Sequence, residues 1–382
     1  MRFLAAVIVS ALFSTAALAQ ALPANVANAY RAYEAAVDAE DWDEAALQAE
    51  LAWRSAESGG VDPETVTVLA ANAGEVALIS GNHEAAAEAY ERAADLAGEL
   101  GAGAGEVGRY SVFAARANRS AGDYRNAIAL SETAIELFSS LPDGETRYGG
   151  LYQANAVAAY AANALEQYRR SGRFAQAGLE AMRYFGPVST PDVALLAYLA
   201  AIQARREGQR EDALYLIVVS RMIAGNLEMD PEFRTNSYDM QVAIMASTSP
   251  AYFDDVFDRL RASGYTPERC FYSSDCPRDP ATVEENVQNG VPLLRAPPVY
   301  PSRAFDYDEE GYVDLRFNVD ADGRVRDVEV VEATSNLFVQ PSLTAVRHWR
   351  YWPRRENGVD VPREGVETRI EFIIADDEDI DP

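Results

Sequence analysis

Apolar residues recur at helical spacing from Asn25 to about Ser220, in a stretch rich in alanine. Short polar turns interrupt this pattern at five places: Glu40-Asp41-Trp42, Gly81-Asn82-His83, Gly122-Asp123-Tyr124, Gly172-Arg173-Phe174 and Gly208-Gln209-Arg210. An alanine stands five residues after the start of every turn (Ala45, Ala86, Ala127, Ala177, Ala213) and another eight residues before it (Ala32, Ala73, Ala114, Ala164, Ala200). Antiparallel helices approach closely only where the facing side chains are small, so each turn predicts a helical hairpin.

The turns are spaced by 41, 41, 50 and 36 residues. This pattern resembles the tetratricopeptide family, and the resemblance implies hairpins stacked into a solenoid with a concave groove. We expect this domain to span residues 24–263, with the helices after Pro231 capping the stack. The groove either binds a protein partner or belongs to a rigid spacer that binds nothing, and the sequence favours neither.

A different pattern begins after Pro298, where apolar and polar residues alternate. Val313, Leu315, Phe317 and Val319 share one face of a predicted strand, and a second strand follows the turn Asp320–Gly323. An amphipathic helix is predicted over Leu337–Trp349, and a third strand runs from Val366 to Ile374. The order strand, strand, helix, strand predicts a small α+β domain over residues 299–375.

The chain is therefore predicted to be an α+β multidomain protein, with an N-terminal all-α tetratricopeptide-like solenoid followed by the small α+β domain. Residues 264–298 lose the helical period and accumulate prolines, so they are predicted to be a linker. Residues 376–382 are predicted to be a solvated acidic tail.

Composition limits the classes of partner. The 382 residues include 60 Asp and Glu against 33 basic residues, for a net charge of −27. Such a chain repels phosphate backbones, so nucleic acid is not expected as a partner. With 48% apolar and 24% charged residues, the composition is that of a globular protein folding in water.

Residues 1–19 have the features of a secretory signal peptide. Arg2 precedes an apolar stretch from Phe3 to Ala19, and Ala17 and Ala19 provide a small-residue cleavage site. We expect cleavage after Ala19 and a protein located in the periplasm. The alternative is an uncleaved inner-membrane anchor that leaves the rest of the chain facing the periplasm.

Cys270 and Cys276 are the chain's two cysteines, and both fall in the predicted linker. In an oxidising compartment they are expected to form a local disulfide, with free thiols as the alternative.

The alternating region carries ordered motifs. They are Tyr300-Pro301, Gly311-Tyr312-Val313, Phe317-Asn318-Val319, Asp322-Gly323-Arg324-Val325, Leu337-Phe338 and Trp349-Arg350-Tyr351-Trp352-Pro353. Together they resemble the TonB C-terminal domain family, over about residues 295–374. The motif positions carried over from the family are Gly311, Gly323, Trp349, Arg350, Tyr351 and Pro353.

This resemblance implies a periplasmic domain that binds an extended segment of a TonB-dependent outer-membrane receptor, or of another envelope protein, by β-augmentation. It places the binding edge on the last strand, at Val366, Glu367, Thr368, Arg369, Ile370, Glu371, Phe372 and Ile373. It places Arg295, Pro297, Tyr300 and Pro301 beside the docked segment. Arg347, Arg350, Arg354 and Arg355, which flank the Trp349 cluster, are expected to form a solvated face.

The sequence contains no recognisable pair of nucleophile and base, phosphate loop or metal-ligand cluster, so we expect no enzyme, no cofactor and no metal. Three functions remain open. The first is a periplasmic TonB-like binding protein with a helical interaction scaffold. The second is a membrane-anchored energy transducer that engages inner-membrane motor proteins. The third is a cell-envelope scaffold in which the C-terminal domain docks to itself.

Overall fold

The structure, a computed structural model, describes residues 22–265, 292–356 and 359–374. It divides into two compact units, with the division between Tyr184 and Phe185. The predicted signal peptide, Cys270 and Cys276, most of the predicted linker and the acidic tail all lie outside the described residues.

The first unit consists of consecutive antiparallel helices. They are α1 (Ala24–Asp38), α2 (Trp42–Ser58), α3 (Pro63–Ser80), α4 (His83–Glu99), α5 (Ala104–Ala121), α6 (Tyr124–Ser139), α7 (Glu145–Ala164) and α8 (Tyr168–Met182). Each helix packs chiefly against the next one in the chain, and α5 also packs against α7.

The tight turns between these helices follow one plan. The first turn residue has a left-handed backbone, with φ of 83° at Gly81 and 86° at Gly122. The next residue caps the following helix, because the side chains of Asn82 and Asp123 accept hydrogen bonds from backbone N–H groups three residues on. A left-handed residue followed by a capping residue therefore ends one helix and starts the next within two or three positions.

The fourth predicted turn is wrong. Gly172 lies inside α8, and the turn is formed earlier in the chain by Glu166, which adopts a φ of 57°. Ala177 is exposed, and Ser171 and Ala158 occupy the buried small-residue positions five residues after and eight before Glu166. Left-handed residues at positions 40, 81, 122, 166 and 208 give spacings of 41, 41, 44 and 42 residues, so the repeat is more regular than the glycine pattern predicts.

Small residues let large rings fill the core of the first unit. Ala45, Ala86 and Ala127 are completely buried, as their fixed place after each turn predicts. A methyl group added to Gly150 would lie 2.4 Å from the Phe138 ring, so the ring packs directly against the backbone of α7. Large aromatic side chains of the first unit lie in its core, among them Trp53, Tyr90 and Tyr110.

The second unit begins with four helices, α9 (Pro191–Arg206), α10 (Arg210–Asn226), α11 (Pro231–Ser247) and α12 (Phe253–Ala262). Helix α10 packs against α9, α11 and α12. The apolar face of α12, formed by Phe253, Val256, Phe257 and Leu260, is completely buried.

The strand-bearing part of the second unit follows. Its elements are β1 (Pro292–Leu294), α13 (Ser302–Phe305), β2 (Gly311–Val319), β3 (Val325–Ala333), α14 (Asn336–Arg347), β4 (Arg350–Tyr351), β5 (Arg354–Glu356), β6 (Val359–Val361) and β7 (Arg363–Phe372). Strands β3, β2 and β7 form an antiparallel sheet in that order, while β1 pairs with β4 and β5 pairs with β6. Helix α14 packs against β2 and β3.

The predicted order strand, strand, helix, strand is confirmed by β2, β3, α14 and β7. Helix α14 ends two residues before the predicted Trp349, because Trp349 leaves the helix and its indole Nε1 donates to the carbonyl oxygen of Ala296 at 2.9 Å. Strands β1, β4, β5 and β6 have two or three residues each. Segments of this length are too short to show an alternating pattern.

Candidate functional site

Strand β7 forms one edge of the three-stranded sheet. It pairs with β2 on one side, from Gly311 opposite Phe372 to Val319 opposite Arg363, with a shift of register between Phe317 and Val319. No other described strand pairs with it. Unpaired N–H and C=O groups along such an edge can accept a further strand.

Hydrogen bonds at Tyr312 identify which residues of β7 face that open edge. Tyr312 N–H donates to Thr334 Oγ1 at 2.9 Å, and Thr334 N–H donates to the Tyr312 carbonyl oxygen at 3.0 Å, so both backbone groups of Tyr312 point toward β3. Backbone groups of successive strand residues point to opposite sides, and those of Gly311, Val313, Leu315 and Phe317 therefore point toward β7.

The β7 residues opposite those four are Phe372, Ile370, Thr368 and Val366, and they complete the inner ladder. By the same alternation, Glu367, Arg369 and Glu371 direct their N–H and C=O groups away from the sheet. The predicted binding strand thus divides into inner-ladder positions and three edge positions.

The solvent face of β2 and β7 is organised by ion pairs. The Arg369 guanidinium makes two hydrogen bonds to Asp314, at 2.8 and 2.7 Å, and its central carbon lies 3.8 Å from the Tyr312 ring centroid. Arg316 pairs with Glu367 at 2.7 Å. The hydrogen bond from Arg369 lowers the pKa of the Asp314 carboxyl.

Arg316 and Arg369, the two arginines on this face, therefore form ion pairs within the sheet. Glu364 and Glu371 on β7 are exposed, and neither is the partner of Arg316 or Arg369 in the ion pairs of this face. The open edge consequently carries an excess of negative charge.

At the C-terminal end of β7 an aromatic cluster joins the strand to the segment that precedes β2. The Tyr300 ring lies 5.6 Å from Phe372, 6.0 Å from Phe338 and 6.2 Å from Phe305, measured between ring centroids. The Tyr300 hydroxyl donates to the carbonyl oxygen of Glu309 at 2.8 Å, and burial raises its pKa. Of the four predicted residues in this segment, Tyr300 is thus the one in ring contact with β7.

The other three predicted residues are not among the rings of this cluster. Arg295 stacks over Trp349, 4.8 Å from the ring centroid, and donates to the Tyr351 hydroxyl at 3.2 Å. Pro297 is exposed, and Pro301 caps the short helix α13.

Exposed apolar side chains accompany the aromatic cluster. Four exposed apolar residues belong to the chain segments next to the cluster: Val299 (80%), Phe305 (59%) and Tyr307 (75%) before β2, and Ile373 (66%) after β7. Phe305 contacts Tyr300, and Ile373 directly follows Phe372. The residues next to the end of β7 therefore combine apolar surface with the open edge.

The opposite edge, on β3, is poorly suited to accept a strand. Its pairing with β2 shifts register between Asp314 and Leu315 and again between Arg316 and Asn318. Asp327 in the same strand has a φ of 50°. Bulges of this kind twist an edge strand and interrupt its ladder, which protects it from added strands.

The predicted motif residues have structural roles. A methyl group on Gly311 would lie 2.0 Å from Thr334 Oγ1, and one on Gly323 would lie 2.0 Å from the carbonyl oxygen of Tyr351. Tyr351 and Pro353 are buried. The expected solvated arginine face is wrong at Arg350, which is 5% exposed and pairs with Asp254 at 2.8 Å.

This β-β-α-β arrangement defines a small α+β domain whose sheet has an open edge along Val366–Phe372 of β7. Residues 296–374 match the family of the Gram-negative bacterial TonB protein C-terminal domain. This part of the chain is a TonB C-terminal domain, as its motifs predict, and helical hairpins precede it.

Proteins named Protein TonB are among its relatives. The one from Klebsiella aerogenes is 38% identical over 81 residues, which is 21% of this chain and 31% of that protein. The one from Escherichia coli is 37% identical over 83 residues (22% of this chain, 32% of that protein), and the one from Pseudomonas aeruginosa is 38% identical over 74 residues (19% and 22%). The chain thus spans about a third or less of the length of these curated relatives.

Among solved structures, the crystal structure of BtubC (BKLC) from P. vanneervenii aligns with 67% of this chain and 97% of its own chain. The identity is 15% and the TM-score is 0.36, a similarity that supports no conclusion.

No helix in the described ranges is both long enough and apolar enough to cross a membrane. Within the same residues, no group of three or more His, Cys, Asp or Glu side chains is placed to hold a metal ion.

Proposed function

We propose that the C-terminal domain binds an extended segment of an envelope protein, which adds as a fourth strand beside β7. The observation that carries this proposal is the open edge of β7 from Val366 to Phe372, where Glu367, Arg369 and Glu371 offer backbone groups that no other described strand pairs. The β3 edge has two register shifts, whereas β7 pairs with β2 without a shift from Val366 to Phe372. This supports the choice of β7, because a ladder needs an uninterrupted row of donors and acceptors.

The partner we propose is the N-terminal segment of a TonB-dependent outer-membrane receptor. Envelope proteins in general are the wider class from which this partner is drawn. The family match of residues 296–374 supports this partner class. The exposed Glu364 and Glu371 favour a segment that carries Lys or Arg on its solvent face. The exposed Phe305 and Ile373 favour an apolar side chain near one end of the segment.

Nuclear magnetic resonance of the isotopically labelled chain tests this proposal. On addition of a synthetic peptide from a receptor N-terminus, we expect the amides of Glu367, Arg369 and Glu371 to become protected from exchange with water. The amides of Val366 and Thr368, already in the inner ladder, should change little. A scrambled peptide of the same composition is the control. Protection along β3, or none along β7, would refute strand addition at this edge.

A second candidate function is energy transduction from an inner-membrane motor to an outer-membrane receptor. Its support is the similarity of the C-terminal domain to proteins named Protein TonB. In this form residues 1–19 remain as an inner-membrane anchor, whereas in the first form they are removed and the protein is periplasmic. The mass of the protein purified from cell envelopes separates the two, because cleavage after Ala19 leaves a chain that begins at Gln20.

The role of the helical repeats is part of the proposal as well. We propose that they serve as the scaffold that carries the strand-binding domain, since the large aromatic side chains of Trp53, Tyr90 and Tyr110 are buried in their core and are not available to a partner.

A further inference from the structure

Arg350 is a buried cation whose charge is balanced from outside the TonB-like segment. Its Nε donates to Asp254 Oδ1 at 2.8 Å, and its Nη1 donates to the carbonyl oxygens of Trp349 and Arg347 at 2.8 and 3.3 Å. Asp254 lies in the first turn of α12, ninety-six positions earlier in the chain. Since an unpaired buried charge is strongly destabilising, Arg350 needs Asp254 to remain buried.

The same carboxylate oxygen binds a second arginine. Arg324, which follows the turn between β2 and β3, donates from Nε to Asp254 Oδ1 at 3.1 Å. These hydrogen bonds, first of all the one from Arg350, lower the pKa of Asp254. One aspartate on a helix therefore holds the start of β4 and the start of β3 together.

Shape complementarity accompanies these charges. Phe257, one turn after Asp254, is completely buried, and a methyl group on Gly323 would lie 2.8 Å from its ring. The turn that contains Gly323 is also bonded to β4, because Tyr351 N–H donates to the Gly323 carbonyl oxygen at 2.8 Å. The turn is thus enclosed between α12 and β4.

Two further contacts extend the interface. Arg261, in the last turn of α12, binds Asp360 of β6 at 2.5 Å. Gln241 of α11, completely buried, donates from Nε2 to the carbonyl oxygen of Leu293 in β1 at 2.9 Å. The helices therefore contact the strand-bearing domain at β1, at the β2–β3 turn, at β4 and at β6.

We propose that α11 and α12 fold and open together with the TonB-like domain as one cooperative unit, held by a clamp that consists of Asp254, Phe257 and Arg261. The family match begins at residue 296, so α11, α12 and β1 lie outside it. Through the clamp, a pull on β7 passes directly into α12. The transmission of a pull rests on the proposed function, the binding of a partner at β7. The cooperative unit held by the clamp does not depend on that binding.

Hydrogen exchange of the full chain, followed by mass spectrometry, tests the clamp. Asp254→Asn removes the charge that Arg350 requires, and Asp255→Asn is the matched control, because Asp255 is an exposed acid in the same helical turn. We expect Asp254→Asn to speed exchange in α12, β2 and β7 alike, by about 10- to 100-fold, since Asp254 is partly exposed and the effect falls below that of a fully buried pair. Asp255→Asn should change exchange by less than about 2-fold.

A second criterion for the cooperative unit comes from conditions in which the opening of the protein limits the rate of hydrogen exchange. In one cooperative unit, peptides from α12, β2 and β7 exchange with a single rate constant. If Asp254→Asn does not accumulate as folded protein, Arg261→Gln gives the same comparison with a smaller effect. Faster exchange confined to α12, with β2 and β7 as in the parent chain, would overturn the proposal. No receptor peptide is present in this experiment, so such a result would leave the binding proposal at β7 unaffected.

Discussion

Replacing Gly323 with alanine tests how tightly the β2–β3 turn is enclosed. Gly323 has a φ of 83°, a conformation that costs a residue with a side chain about 1–2 kcal/mol. The added methyl group would also lie 2.0 Å from the Tyr351 carbonyl oxygen, which is a backbone atom, and 2.8 Å from the Phe257 ring. Relief requires the backbone of β4 to move, and overpacking of this kind costs about 1–3 kcal/mol. We expect Gly323→Ala to lower the unfolding free energy of the domain by about 2–5 kcal/mol.

Gly365→Ala is the matched control. Gly365 belongs to the same domain and has a φ of 68°, and nothing lies within 4 Å of the position of an added methyl group. It should therefore cost only the backbone term, about 1–2 kcal/mol. Opening free energies of peptides from β2 and β7, obtained by hydrogen exchange over a urea series, measure both variants. Equal losses in the two variants would refute the enclosed turn.

Two further predictions concern the clamp and the first unit. The pKa of Asp254 is lowered in the folded protein, chiefly by the hydrogen bond from Arg350, so its contribution to the unfolding free energy is complete above about pH 4 and is lost as the pH falls through the lowered pKa. The difference in unfolding free energy between the parent and Asp254→Asn should therefore be constant at neutral pH and shrink in acid. A difference that persists unchanged in acid would contradict the assignment of this role to Asp254. In the first unit, Gly150→Ala places a methyl group 2.4 Å from the Phe138 ring and should destabilise by about 1–3 kcal/mol, whereas Gly98→Ala, with open space around it in a helix, should stabilise by about 0.5–1 kcal/mol. Thermal unfolding of the full chain, followed by far-ultraviolet circular dichroism, decides whether these signs are opposite.

The helical repeat could be predicted where its turn residues follow the common pattern. Gly81 and Gly122 mark their turns by the residue type that adopts a left-handed backbone most easily. Glu166 adopts the same backbone without being glycine. The glycine pattern therefore predicts the turn at the nearby Gly172, which lies within a helix. The signal that could have found the turn is in the first repeat, since Glu40-Asp41-Trp42 and Glu166-Gln167-Tyr168 share a glutamate and an aromatic residue at the same spacing.

Part of the candidate site could also be predicted, because two of its strands follow a local sequence pattern. Alternation places β2 and β7, because each strand is long enough to show a period of two residues. Asp254 was missed, since its partner Arg350 is ninety-six positions away and no local pattern relates them. The sequence does not distinguish Arg350 from the other three arginines near Trp349, although Arg350 is the buried one. Its burial depends on α12, and no sequence pattern places α12 against β4.

Capture of a receptor N-terminal peptide by variants at Arg369 tests the central claim most directly. Arg369→Ala removes the ion pair with Asp314 and keeps the backbone N–H, so it should weaken binding only modestly. Arg369→Pro removes the same side chain and also the edge-facing N–H, and because it leaves the inner ladder donors of Thr368 and Ile370 in place, it should retain a thermal transition and lose capture of the peptide. If folded Arg369→Pro captures the peptide as well as Arg369→Ala does, strand addition at β7 is contradicted.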